Sequence, residues 1–186
     1  MIENPKSLVL IDDSNLYYGF IKQQWKLDFE KFFRWINNNF HPIAVFFFGG
    51  IVSQRTFFEK NPQHTLKDFI DQQKHRKAFF KMLRNTGYLV RTKPVAGAYD
   101  STSGKYKSKC NFDVEITIVA LDKLAEYDEL ILCSGDADFE KLIKYIKGKY
   151  KKSVVVAHND RISSRLRAAA NKVISLESIR ELIEKK

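Results

Sequence analysis

The stretch Ser7-Leu8-Val9-Leu10-Ile11-Asp12-Asp13-Ser14-Asn15 sets four consecutive apolar residues against two acids and two small polar residues. A run with no polar alternation has no face to show to water, so both faces must be covered, as they are for a strand inside a parallel sheet. Such a strand ends at the carboxyl rim of its sheet, which is where Asp12 and Asp13 are expected. Working outward, Ile43–Phe48 closed by Gly49-Gly50, Tyr88–Thr92, Glu129–Cys133 and Ser153–Ala157 read as four further strands. Apolar residues at helical spacing fill the intervals. Leu16, Phe20 and Trp25, then Phe29, Phe32, Phe33 and Ile36 behind an Asp28 cap, give one or two helices. A long helix from Leu66 to Arg84 follows, with Phe69, Ile70, Phe79, Phe80 and Leu83 on its inner side and Gly87 at its end. Phe112, Ile116, Val119 and Leu124 mark the next helix, and Phe139, Leu142, Ile143 and Ile146 another, ended by Gly148. A helix around Ser163–Ala170, a short Lys172–Leu176 segment and a terminal helix from Glu177 complete the set. The polar stretch around Pro62 and the Gly, Ser, Tyr and Lys stretch Ala96–Lys109 read as connections, the latter as a surface loop or a small hairpin turning near Gly104. About five strands alternating with helices predict an α/β three-layer sandwich around a mainly parallel sheet, formed by one domain over residues 1–186.

The 186 residues, 44% of them hydrophobic and 13% aromatic, suffice for one core and exclude disorder as the main state. No apolar run approaches the ~18 residues of a membrane span, and the N-terminus lacks the pattern of a secretory signal, so a cytoplasmic protein is expected. Cys110 and Cys133 have neither zinc-ligand nor disulfide spacing; both are expected to be reduced, with Cys133 in the core. His41, His64, His75 and His158 show no ligand spacing either.

The net charge of +10 implies an anionic partner, but it is unevenly distributed. Residues 1–54 balance at zero, 55–109 carry +9, 110–143 carry −7 and 144–186 carry +8. Glu126, Asp128 and Glu129 in the acidic stretch read as a solvated turn. Three others, with two acids from the first stretch, fall at or near the rim: Asp12 and Asp13 after the first strand, Asp136 and Asp138 in Ser134-Gly-Asp-Ala-Asp138 after the fourth, and Asp113 at the start of the helix that follows the basic loop. Acids gathered from three separate places repel one another unless a cation lies between them. Oxygen ligands without His or Cys favour Mg2+ or Mn2+ over zinc. Such a metal within a basic surface suits hydrolysis of a phosphodiester chain, with Lys and Arg holding the flanking phosphates. A helix beginning near Asp138 would bring further N–H groups to the rim.

Three motifs then match a known group: Leu10-Ile-Asp12-Asp-Ser-Asn15, Lys109-Cys-Asn-Phe-Asp113-Val-Glu-Ile, and Ser134-Gly-Asp136-Ala-Asp138-Phe139. Ser163-Ser-Arg165-Leu-Arg167 is a weaker fourth. Together they resemble the NYN domain group, the LabA-like branch of the PIN-like nucleases. The resemblance implies a PIN-like fold and a metal-dependent ribonuclease; that its RNA is single-stranded is expected from the basic, aromatic loop. Its acidic cluster would be Asp12, Asp113, Asp136 and Asp138, supported by Asn15 and Ser134. Asp13 stands where the group usually has glycine, either facing away from the metal or adding a ligand, and Asn111-Phe112 replaces the usual Gly-Val.

For the strand itself, Lys105, Lys107 and Lys109 with Tyr99 and Tyr106 mix charge and rings in one loop, a combination suited to exposed bases. Arg161, Arg165 and Arg167 form a second candidate surface. Receiver domains and haloacid-type phosphatases do not fit, since the first wants an acid after the third strand and the second Asp-x-Asp after the first. The rival reading is a nucleic-acid-binding regulatory module of the same fold with little or no cleavage. RNA over DNA rests on the resemblance alone, and the oligomeric state, homo-oligomer included, is left open.

Overall fold

The computed structural model describes residues 5–101 and 105–186, apart from the side chains of 98–100, 105 and 107–109. The first strand, β1 (Ser7–Asp12), is buried along its whole length. It is flanked on one side by β2 (Pro42–Val52) and β3 (Leu89–Asp100), and on the other by β5 (Glu129–Cys133), β6 (Lys152–Ala157) and β7 (Lys172–Ser175). These six strands are parallel, and β4 (Lys105–Lys109) pairs antiparallel with the end of β3, giving the order β4-β3-β2-β1-β5-β6-β7. The direction of chain progress reverses at β1, so a crevice opens between the carboxyl ends of β1 and β5.

The alternation of β1 explains why its sequence is apolar throughout. Val9 and Ile11 pack into a cluster with Leu16 and Phe20 of α1 (Asp13–Gln23), Phe32 and Ile36 of α2 (Phe29–Phe40), and Phe80 and Leu83 of α4 (Leu66–Thr86). Leu8 and Leu10 pack on the opposite face with Phe112, with Ile116 of α5 (Asp113–Asp122), and with Leu142 and Ile143 of α6 (Glu140–Gly148). Leu166 of α7 (Ser164–Ala169) closes that layer, and Ile183 of α8 (Arg180–Ile183) closes the first. The result is the expected three-layer arrangement.

Local signals set the helix ends. Asp28 accepts from the backbone N–H groups of Glu30 and Lys31, both at 3.0 Å. Thr65 and Asp68 form a reciprocal capping box, and Gly87 ends α4 at φ 118°, a left-handed conformation that suits glycine.

Three expectations need correction. The parallel sheet has six strands rather than about five: the Lys172–Leu176 segment contains β7, an edge strand whose partial burial leaves only a weak apolar pattern. Of the two readings of Ala96–Lys109, the hairpin is the one found: the end of β3 pairs antiparallel with β4. The stretch before Pro62 contains a short helix, α3 (Gln54–Lys60), capped by Ser53 and burying Thr56 and Phe57. In α4, Ile70 is 43% exposed, since the N-terminal half of this helix extends beyond the sheet and packs Phe69 on Phe57 and Phe58 instead. Cys133 and His158 are buried, the latter against Phe20 and Glu177. Among the described residues, no helix is long and apolar enough to cross a membrane.

Candidate metal centre and nucleic-acid cleft

Asp12 is the last residue of β1 and the N-cap of α1, and these two positions fix its carboxylate. Its Oδ1 accepts from the Ser14 N–H at 3.1 Å, the Ser14 hydroxyl at 2.7 Å and the Asn15 N–H at 3.4 Å. Its Oδ2 accepts from the Ser134 hydroxyl at 3.2 Å. Burial raises the Asp12 carboxyl above its ordinary value, while these donors oppose that shift. Asn15 in turn accepts from the Gly135 N–H at 2.9 Å, and Ser134 Oγ accepts from the Asp136 N–H at 3.3 Å. The turns after β1 and β5 are thereby tied together by side chains that the sequence singles out.

From that frame, Asp113, Asp136 and Asp138 each bring a carboxylate oxygen to one place, with all three atoms within 4.8 Å of one another. Asp113 begins α5, where its N–H donates to Asn111 Oδ1 at 2.7 Å. Asp138 lies in a 3-10 turn, Ala137–Phe139, rather than at the start of an α-helix; α6 begins two residues later. The turn is shaped by Asp136, which accepts from the Asp138 N–H at 3.0 Å. Burial raises the Asp113 carboxyl, and the charges of Asp136, Asp12 and Asp138 push it the same way. Three oxygen donors in mutual repulsion fit a hard divalent cation. Asp12 stands outside the tight trio, held by its own donors.

Asp13, the departure noted in the sequence, is turned to Arg76 of α4, with which it forms a salt bridge. Arg76 also donates Nε–H to the Gly50 carbonyl at 3.1 Å and lies 4.3 Å from the Phe80 ring centroid. Burial raises the Asp13 carboxyl and the guanidinium opposes it. No motif points to Arg76, yet its position carries a signal: it sits four residues before Phe80 and seven before Leu83, a charge on the inward stripe of a helix.

A cleft of about 480 Å³ fronts these groups, with Asp12, Asp13, Ser14, Asp113, Asp136 and Arg76 among its walls. Cys110 and Asn111 line it as well, so Cys110 is a cleft residue rather than a bystander. Behind it, Lys93 pairs with Glu115 at 2.5 Å and lies 4.6 Å from the Phe112 ring centroid. Arg161 is exposed next to the acidic turn, its carbonyl so close to Gly135 that a Cβ there would sit 2.5 Å from it. Arg165 is exposed and 3.9 Å from Glu140, and Arg167 is exposed on α7. Tyr106 is partly buried beside Arg55. The side chains of Tyr99, Lys105, Lys107 and Lys109 lie outside the described residues; the backbone of β4 leads from them directly to Asn111 and Asp113.

This constellation spans β1, β5 and α5, and the model of the NYN domain matches across it, over residues 6–177. The chain belongs to the NYN domain family. Within that family's reach, it is 31% identical over 180 residues to the "Low amplitude and bright protein LabA" of Synechococcus elongatus, covering 95% of this chain and 87% of that protein. Its fold is similar to the crystal structure of a protein of unknown function from Vibrio parahaemolyticus, with a TM-score of 0.73 and 22% identity over 100% of this chain and 99% of that one. An NYN domain carries a nuclease-type fold, in keeping with an acidic centre at the carboxyl rim.

Proposed function

We propose that this NYN protein hydrolyses phosphodiester bonds of single-stranded RNA with a divalent metal, Mg2+ or Mn2+, held at its acidic rim. The observation that carries this reading is the approach of the Asp113, Asp136 and Asp138 carboxylates to within 4.8 Å. When bound, such an ion would polarise a phosphate and make a water molecule more acidic. Asp113, Asp136 and Asp138 would hold it. Asp12, oriented by Ser14, Asn15 and Ser134 and with Oδ2 accepting from Ser134, would complete the acidic set as a fourth carboxylate. Ser134 and Asn15 fix the β5 turn against β1, so the acids keep their spacing without help from a ligand. Arg161, Arg165, Arg167 and the lysines of β4 would carry the phosphates on either side.

The test is incubation of purified protein with labelled RNA and labelled single-stranded DNA in Mg2+, Mn2+ or chelator, beside Asp136→Asn. Cleavage of RNA that needs the metal and is lost in the variant supports the reading. A strand that is bound but left intact under every condition overturns it in favour of a nucleic-acid-binding regulatory module.

A further inference from the structure

A second and larger cavity, of about 860 Å³, lies beside the acidic cleft between α1, the start of α2 and α4. Its walls mix aliphatic, charged and aromatic side chains: Tyr17, Phe20, Trp25, Phe29 and Phe79 contribute rings, of which Phe20 and Trp25 are nearly buried and packed edge-on, and Met82 a thioether. Asp13, Tyr17 and Arg76 line both spaces, so the two meet at the Asp13–Arg76 ion pair. Tyr17 and Ile21, one turn apart on α1, are 58% and 57% exposed, which leaves two large apolar side chains at the mouth. Gln24, Lys26, Glu30 and Lys185 supply polar groups around the rim.

Resting on the reading of the cleft as a nucleic-acid site, we propose that this cavity seats a base of the bound single strand, next to the phosphate presented to the acids. Flat apolar rings accept any base by stacking, and polar rim groups can meet its edges. Arg76 lies at the junction, paired with Asp13 and bound to the Gly50 carbonyl, so a phosphodiester passing from one space to the other would share the guanidinium with a carboxylate. A lipid or apolar peptide would also pack on the rings, but neither explains a cavity that opens onto an ion-paired junction and an acidic cleft. A base in a strand satisfies all three surfaces at once.

Binding measured in chelator, where no bond is cut, tests this. The probes are a short labelled single-stranded RNA, the same strand with abasic positions, and a free mononucleotide; tryptophan fluorescence of a Trp35→Phe background, in which Trp25 is the remaining indole, provides a second readout. Tyr17→Ala and Ile21→Glu change exposed positions, so unchanged thermal midpoints are expected. Each should weaken strand binding about tenfold, the scale of one stacked base, and the abasic strand should bind wild type about as weakly. Intact binding by both variants, with no effect of removing bases, overturns the cavity as a base seat while leaving the cleft reading in place. Tight, variant-sensitive binding of the mononucleotide in preference to the strand overturns it in favour of a free-nucleotide site. Absence of any strand binding by wild type overturns the cleft reading and this proposal together.

Discussion

Arg76 and Asp13 are joined across the cleft wall, α4 to the start of α1, with 28% and 16% of their side chains exposed. The pair ties the α4 layer to the turn that follows β1. Removing only the cation leaves a carboxylate with little solvent. Arg76→Met is therefore expected to cost about 2–4 kcal/mol, and Asp13→Asn combined with it should recover more than half. Urea unfolding at neutral pH measures both. The penalty falls on the ionised form, so it should shrink as the pH is lowered; a constant penalty would contradict the assignment.

Asp113 offers a pH-dependent test. Its folded-state value is raised, so its contribution is favourable below the ordinary carboxyl value of 3.8 and is lost as the pH rises through the folded value. In metal-free buffer at neutral pH, Asp113→Asn should be more stable than wild type by up to about 1 kcal/mol, and the difference should close in acid. Millimolar Mn2+ should reverse the order, because only wild type gains fully from the ion. Thermal midpoints over a pH series, with and without Mn2+, decide the matter.

Gly135 is expected to be intolerant. An added Cβ meets the Arg161 carbonyl oxygen at 2.5 Å and its carbon at 2.7 Å, both backbone atoms that cannot swing aside. Gly135→Ala should cost about 1–3 kcal/mol and disturb Ser134 and Asp136 on either side. At Gly148 nothing lies within 4 Å, so Gly148→Ala should be neutral or stabilising by up to about 1 kcal/mol. Denaturation midpoints for the two alanines, with nuclease assays beside them, provide the comparison.

If the basic β4 strand holds phosphates, replacing Lys105, Lys107 and Lys109 by Glu should weaken RNA binding without lowering the thermal midpoint. It should also flatten the dependence of affinity on salt, by roughly 0.7 in the log–log slope for each phosphate that is no longer neutralised. Titrations across a salt series measure the slope, and an unchanged slope would remove β4 from the binding surface.

Much of the fold and of the acidic centre is legible from residue order because the decisive signals are local. The apolar run Leu8–Ile11 announces a doubly covered strand, the cap at Asp28 marks its helix, and the acids follow strands that end at one rim. What escapes depends on distant partners. β7 is recognisable only when β6 lies beside it, α3 only when Phe57 has Phe69 to pack on, and Asp13 could not be placed without Arg76, sixty-three residues away. The separation of Asp12 from the tight trio is likewise a matter of hydrogen-bond donors, Ser134 among them, that spacing does not reveal.

The strand order also bears on how the chain comes together. β1 has β2 on one flank and β5 on the other, so the sheet grows outward in two directions, first with residues before α5 and then with those after it. Asp113 stands at the seam between these two halves, and Asp136 and Asp138 arrive with the second. Until β5 lies on β1, Ser134 cannot reach Asp12, and Asp113 has no reason to be near Asp136 and Asp138, which are neighbours in the chain itself. The repulsion between Asp113 and that pair therefore belongs to the assembled sheet: it is a cost that joining the two halves brings with it.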